Sequence, residues 1–321
     1  MTDIKKNPKD TLSIFGYKPE NKILWDNFIS ASKNGVFLFF RDYMEYHSHR
    51  FADHSLMFYS GDKLIALLPA SVEGPTLYSH GGLTFGGVIS TYEMKTPLML
   101  QIFNSLTAYC HSRGITEIVY KPAPYIYHSI PADEDLYALF TYNAYLTARN
   151  VSSAIYLPNA KGFDGNRKDN LRKAKKNNLT VQKSDDFDAF MRIEEEVLVD
   201  RHGVKPVHSA EEIKLLADRF PDNIKLFASF KDNIMLAGVV MYESRNVAHM
   251  QYAANSKAGW NIGAQDIIED YLIKEHYKDK RYFDFGISTE NHGTLLNVGL
   301  INRKENFGAS AVVYDTYKVT L

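Results

Sequence analysis

The chain says the same thing twice. Leu56-Met-Phe-Tyr-Ser-Gly-Asp-Lys-Leu-Ile-Ala66 reads as two apolar strands around a Gly-Asp turn. About 170 residues later, Leu226-Phe-Ala-Ser-Phe-Lys-Asp-Asn-Ile-Met-Leu-Ala237 repeats that hairpin with a Lys-Asp-Asn turn. Each hairpin is followed by a further strand, a glycine-bearing loop, an amphipathic helix and a buried strand. These fall at 76–79, 81–87, 97–113 and 115–121 in the first half, and at 247–253, 257–264, 265–278 and 281–286 in the second. A repeat of this length is a duplicated domain, not a solenoid unit. The 321 residues suffice for two domains with separate cores, expected at 1–158 and 159–321.

Composition removes several classes of function. A net charge of −1 supplies no global attraction for nucleic acid, so any basic site must be local. The single cysteine, Cys110, falls on the apolar face of a helical pattern, which excludes a disulfide framework and a cysteine-based zinc site. His47, His49 and His54 cluster without matching carboxylate geometry, and no metal site is assigned. Residues 1–9 are polar and lack the apolar stretch of a signal peptide, and no run approaches the roughly 20 apolar residues of a membrane span. A cytoplasmic location is expected, with peripheral membrane contact left open.

Periodicity places helices at 21–32, 131–145, 186–200 and 210–219, the last opened by the capping box Ser209/Glu212. A short buried strand or extended segment is expected at 36–40, another strand at 151–157, and a last half-buried strand at 311–320. Residues 1–20 read as a weakly patterned lead-in. The sharpest shift in composition is the basic stretch 161–178, where Arg167, Asn170, Lys173 and Asn177 share one helical face. Such a run is usually a solvated face; a phosphate-bearing ligand is the alternative.

Four constellations could carry chemistry. In Gln251-Tyr-Ala-Ala-Asn-Ser-Lys-Ala-Gly-Trp-Asn-Ile-Gly-Ala264, a strand runs through a loop into a helix. Gly259 and Gly263 permit close backbone approach, and amides at the helix start could face an anion. Lys257, Asn261 and Ala264 complete this expected donor site, with Gln251 and Arg167 as substrate contacts. A helix cap with two turn glycines is the plain alternative. The loop Ser79-His-Gly-Gly-Leu-Thr-Phe-Gly-Gly87 implies either tight main-chain packing or a resting ligand. Tyr120-Lys-Pro-Ala-Pro-Tyr-Ile-Tyr-His128 offers Lys121, Tyr125 and His128 as acceptor contacts, or an aromatic plug. Finally, Asp284 in an apolar strand must be paired, Glu290 beyond it could act as a base if desolvated, and Lys304 could stabilise an oxyanion.

The paired hairpin units, the basic helix, Phe283-Asp-Phe-Gly286 and Lys304-Glu-Asn-Phe-Gly308 together resemble the FemAB-type proteins, which are tandem GNAT-fold acyltransferases. The resemblance implies an α/β fold of two GNAT-like domains with mixed sheets and a cleft between them. It also implies acyl or aminoacyl transfer to an amine, with Glu290 or Asp284 removing a proton and Lys304 facing the ligand. Ile287 stands where many relatives carry arginine, and Arg303 where they carry an aromatic residue.

Acyl-CoA is the expected co-substrate, with no permanently bound cofactor and no metal. Aminoacyl-tRNA is the alternative donor, and a non-catalytic binding module is the third reading. Nucleic acid is a partner only if tRNA is the donor. The acceptor implied by the family is an amino sugar or another cell-envelope precursor.

Overall fold

The computed structural model describes residues 12–202, 206 and 208–321. The polar opening at 1–9 and most of the expected lead-in lie outside the described residues. The strands are β1 (Leu12–Gly16), β2 (Leu56–Ser60), β3 (Lys63–Leu68), β4 (Ser71–Glu73), β5 (Thr76–Tyr78), β6 (Ile89–Ser90), β7 (Glu117–Tyr120), β8 (Tyr145–Tyr156), β9 (Thr180–Ser184), β10 (Ile224–Lys231), β11 (Ile234–Glu243), β12 (Val247–Asn255), β13 (Tyr282–Ile287), β14 (Thr289–Glu290), β15 (Leu295–Leu296) and β16 (Ser310–Thr320). The helices are α1 (Lys22–Ala31), α2 (Arg41–Met44), α3 (Thr96–His111), α4 (Glu134–Thr141), α5 (Gly165–Lys176), α6 (Phe187–His202), α7 (Ala210–Arg219), α8 (Lys257–Trp260), α9 (Ala264–Tyr271) and α10 (Val298–Glu305). Among the described residues no helix is long and apolar enough to cross a membrane.

The chain divides into two compact units, Met1–Arg149 with Tyr314–Leu321, and Asn150–Val313. The expected 1–158 and 159–321 put the whole last strand in the second part, whereas its end clusters with the first.

In the first unit, β2 and β3 form the expected hairpin, flanked by β1 and β6 in an antiparallel sheet. β1 occupies sequence read as lead-in. β5 runs parallel to β7, with α3 as the crossover. The strand or extended segment expected at 36–40 is instead a 3₁₀ turn, Phe37–Phe39, whose last carbonyl accepts from Trp25 Nε1 at 2.8 Å. The glycine loop is a packing device. A Cβ on Gly82 would stand 2.1 Å from His47 Nε2, and one on Gly86 would stand 2.1 Å from the Ser79 carbonyl. Tyr120 accepts from the Val88 amide (2.6 Å) and donates to buried Asp135 (2.7 Å), whose carboxyl burial pushes up to about 7.

In the second unit, β9–β10–β11–β12 is an antiparallel meander. Asp232 and Asn233 both take positive φ at its hairpin turn, matching the twist of the flanking strands. β13 lies parallel to β12, joined through α9, and residues of β8 pair antiparallel with β13. The two parallel pairs, β5/β7 and β12/β13, are the structural form of the repeat seen in the sequence.

Alternation divides the sheet faces. Ala237, Val239, Met241, Phe283 and Phe285 join Ala264, Ile268 and Leu171 in a core that includes α5 and α9. Gly238 points the other way, where α6 seats Phe190 so closely that a Cβ on the glycine would stand 2.4 Å from its ring. Asp164 caps α5, and Ser209 with Glu212 completes the expected capping box of α7.

Candidate active site in the second unit

β12 and β13 part company early. Their ladder pairs Val247 with Tyr282, Ala248 with Phe283 and His249 with Asp284, although β12 continues to Asn255 and β13 to Ile287. Both strands are irregular where they separate. In the β11–β12 ladder, Val240 faces Tyr252 and Met241 faces Met250, so Gln251 is the extra residue of a bulge. The β13–β8 register shifts between Asp284 and Ile287. Two parallel strands that open in this way leave main-chain groups outside the ladder, and such groups need partners.

Asp284 sits at the fork with no solvent exposure. It accepts from Ser152 Oγ (2.5 Å), from the Gly286 amide (3.1 Å) and from His249 Nδ1 (2.8 Å). The expectation that this carboxylate must be hydrogen-bonded is therefore met. Gly286 has φ +77°, and a Cβ there would stand 3.4 Å from His249 Cε1, so the imidazole edge lies directly over this glycine.

Lys304 lies beneath the same fork. Its Nζ donates to the carbonyls of Gly286 and Ile287, both at 2.8 Å. Burial pushes its ammonium down to about 8. The lysine expected to face a ligand is committed to the main chain of β13 beyond the point where β12 departs. Glu290, expected as a partly desolvated base, is exposed, with Asn297 Nδ2 at 3.4 Å.

A cavity of about 380 Å³ opens beside the 255–261 loop, with Arg167, Asn170 and Lys173 of α5, Trp260, Asn261 and Arg303 in its wall. Thus the α5 face read from helical spacing does meet the glycine-bearing loop. Two buried carboxylates hold its arginines. Asp266 pairs with Arg167 at 2.5 Å, and Glu269 receives both bonds from Arg303 Nη2 at 2.9 and 2.7 Å. Burial raises the Glu269 carboxyl while the Arg303 charge opposes that rise. Two polar atoms of the wall, Arg167 Nε and Asn255 Oδ1, are buried without a hydrogen-bond partner among the described residues. Lys173 is exposed and enters no ion pair among the described residues.

The glycines of the expected pyrophosphate loop are closely packed. Gly263 has φ +76°, and a Cβ there would stand 2.3 Å from the Asn170 carbonyl of α5. Gly259 is closed in by Asn255, the Leu236 carbonyl and Ala264, and Ala264 is fully buried. Gly263 allows α5 to approach α9; Lys257 and Asn261 are the exposed members of the expected donor set. Gln265 and Asp266 of the first turn of α9 line the cavity together with the cations of α5 and α10.

The three expected acceptor residues, all in the first unit, do not converge. Lys121 donates to the Leu83 carbonyl, and burial pushes its ammonium down to about 8. His128 is buried, with Nε2 3.0 Å from the Ala123 carbonyl. Tyr125 is 56% exposed, so it does not join the other two in a buried site.

Sequence reading missed His249, Ser152, Asp266, Glu269 and Arg303 as site residues. One signal was available for His249, a histidine in the otherwise apolar opening of β12. For Asp266 and Glu269 it was two acids on the buried face of an amphipathic helix.

A sheet parted between two parallel strands, with a bulge at the fork and a polar cavity beside the loop that follows β12, defines an α/β acyltransferase fold of the GNAT class, here in tandem. Residues 165–292 match the acetyltransferase (GNAT) domain family, and the fold of the whole chain is that of the FemAB-like tandem GNAT proteins. The structure is similar to that of FemX, with 10% identity and a TM-score of 0.69 over 96% of this chain and 97% of that one. It is also similar to L-PGS from Bacillus licheniformis (13%, TM-score 0.61, 94% and 92%). A tandem GNAT protein from the clavulanic acid biosynthesis pathway superposes at 9% identity and TM-score 0.50, over 97% and 98%. No curated protein sequence matches the chain.

Proposed function

We propose that the chain is an N-acyltransferase whose second unit binds the activated donor. The observation that carries this reading is the opened β12/β13 pair with Gln251 bulged at the fork, together with the cavity beside the 255–261 loop that follows β12, walled by Arg167, Lys173, Arg303 and Asp266. An extended donor arm would lie between the strands, taking up main-chain groups that the ladder leaves out. Its acyl carbonyl would sit at the fork, where preorganised N–H donors stabilise the charge that develops on amine attack. The phosphates of the donor would meet the cations of the cavity.

Acyl-CoA remains the first donor of this reading. A second reading, with aminoacyl-tRNA as donor, is favoured by one observation on α5. The exposed cations Lys168, Arg172, Lys175 and Lys176 on the rest of α5 suit a longer polyanion. For the acceptor, an amine on an envelope precursor is kept from the family resemblance. The likeness to L-PGS, a lysyl-phosphatidylglycerol synthetase, adds an envelope lipid as a candidate.

Thermal-shift measurements with acetyl-CoA, longer acyl-CoAs and aminoacyl-tRNA decide between donors, because a ligand of the native state raises the melting temperature. Stabilisation by thioesters alone supports the first reading; stabilisation by tRNA that fades steeply with salt supports the second. Lys173→Ala should weaken whichever donor binds by about tenfold, as expected for one charge near a phosphate. No response to any donor removes the acyltransferase reading in favour of a non-catalytic scaffold.

A further inference from the structure

We propose that His249 is the base that receives the proton of the acceptor amine, with Asp284 and Ser152 as its positioning residues. This rests on the acyltransferase reading of the β12/β13 fork and adds to it the identity of the proton acceptor.

Three features converge on His249. It occupies the last paired position of β12, opposite Asp284, and the strands open immediately beyond it. Its Nδ1 lies 2.8 Å from Asp284 Oδ2, and that fully buried carboxylate is itself fixed by Ser152 Oγ and the Gly286 amide. An imidazole that donates from Nδ1 to a carboxylate carries its lone pair on Nε2, the arrangement of an oriented general base. Finally, Gly286 presents a bare backbone to the ring: a Cβ there would stand in van der Waals contact with His249 Cε1, at 3.4 Å. The His249 side chain is 14% exposed against 0% for Asp284, so of the two it is the histidine that an incoming molecule can reach.

The other proton acceptors of this region are less suited. Glu290 is exposed and so lacks a desolvated environment, and Lys304 spends its Nζ on two carbonyls.

In the step, the amine nitrogen bonds to the acyl carbon. The amine's surplus proton passes to His249 Nε2, and the carbon–sulfur or carbon–oxygen bond to the carrier breaks. The protonated imidazole then returns the proton to the departing thiolate or ribose oxygen, so charge and atoms balance without a further reactant. Asp284 holds the ring throughout.

Two measurements test this on the full chain. Nitrogen-15 NMR of histidine-labelled protein should show His249 as the Nδ1–H tautomer, lost in Asp284→Asn; an Nε2–H tautomer in the unaltered protein overturns the assignment. Turnover is then followed with acetyl-CoA or lysyl-tRNA as donor and glucosamine as acceptor. His249→Ala should lower kcat by about 10²–10⁴-fold, the range of general-base catalysis, and recover in part with added imidazole. Donor affinity should stay within about threefold. If the unaltered protein is silent with both donors, the acyltransferase reading fails and this proposal with it. If it turns over and His249→Ala does so equally well, only the proposal fails.

Discussion

Arg303 delivers two hydrogen bonds from one guanidinium nitrogen to both oxygens of Glu269, a carboxylate with no solvent exposure. The pair pins α10 to α9 across the wall of the cavity. Removing one partner strands the other, and an uncompensated buried charge costs about 3–5 kcal/mol. Arg303→Ala should therefore lower the unfolding free energy of the second unit, measured by denaturant titration, by an amount of that order. Glu269→Gln, which keeps the shape and removes the charge, should cost less. A double variant no more stable than Arg303→Ala alone would show that the buried charge is not the source of the loss.

Gly263 and Asn170 test the contact between α5 and α9. An alanine at 263 meets both a left-handed backbone and the Asn170 carbonyl at 2.3 Å. Together these should destabilise by about 2–4 kcal/mol, since backbone strain and overpacking add. Gly162 is the control: nothing lies within 4 Å of its would-be Cβ and its φ is not positive, so Gly162→Ala should stay within about 1 kcal/mol. Equal melting temperatures for the two variants would contradict the packing described.

What the sequence disclosed is what short-range pattern encodes. The hairpins 56–66 and 226–237, the capped α7 and the basic α5 follow from alternation, turn residues and helical spacing, all local. The fork chemistry does not. His249 meets Asp284 through a parallel register set by the crossover through α9, and Arg303 meets Glu269 because two helices pack at one height. Neither distance is present in a local pattern. Lys304 was read as facing a ligand because motif spacing identifies a residue without its direction. In the fold, its amino group turns to two carbonyls that β12 does not serve. The strand or extended segment expected at 36–40 failed for a related reason: five apolar residues are equally compatible with a buried turn, and Trp25 selected the turn.

Lys304 also predicts a pH dependence. Its folded ammonium is pushed from 10.5 down to about 8 by burial, so between those values the unfolded chain binds the extra proton. Stability should rise with pH across that window and be flat with respect to this group below it. Lys121 in the first unit shares the same direction, so the comparison must be with Lys304→Met. Melting curves from pH 7 to pH 10.5 should show a shallower rise in the variant than in the unaltered protein. Parallel curves would mean that Lys304 is not desolvated as described.

Glu194 gives the opposite sign. It sits on α6 at 7% exposure, with no ion pair or hydrogen bond among the described residues, and burial lifts its carboxyl from 4.5 to about 7. Between those values the folded state holds a proton that the unfolded chain has released, so this group removes stability as pH rises from about 4.5 to about 7. Above 7 the loss is complete and constant. Glu194→Gln cannot titrate, so its melting temperature should match the unaltered protein near pH 4.5 and exceed it at pH 8. The excess should appear progressively across the window. A variant less stable at pH 8 would mean that the carboxylate is held by a favourable partner, and the reading of Glu194 as a buried group without one would have to be given up.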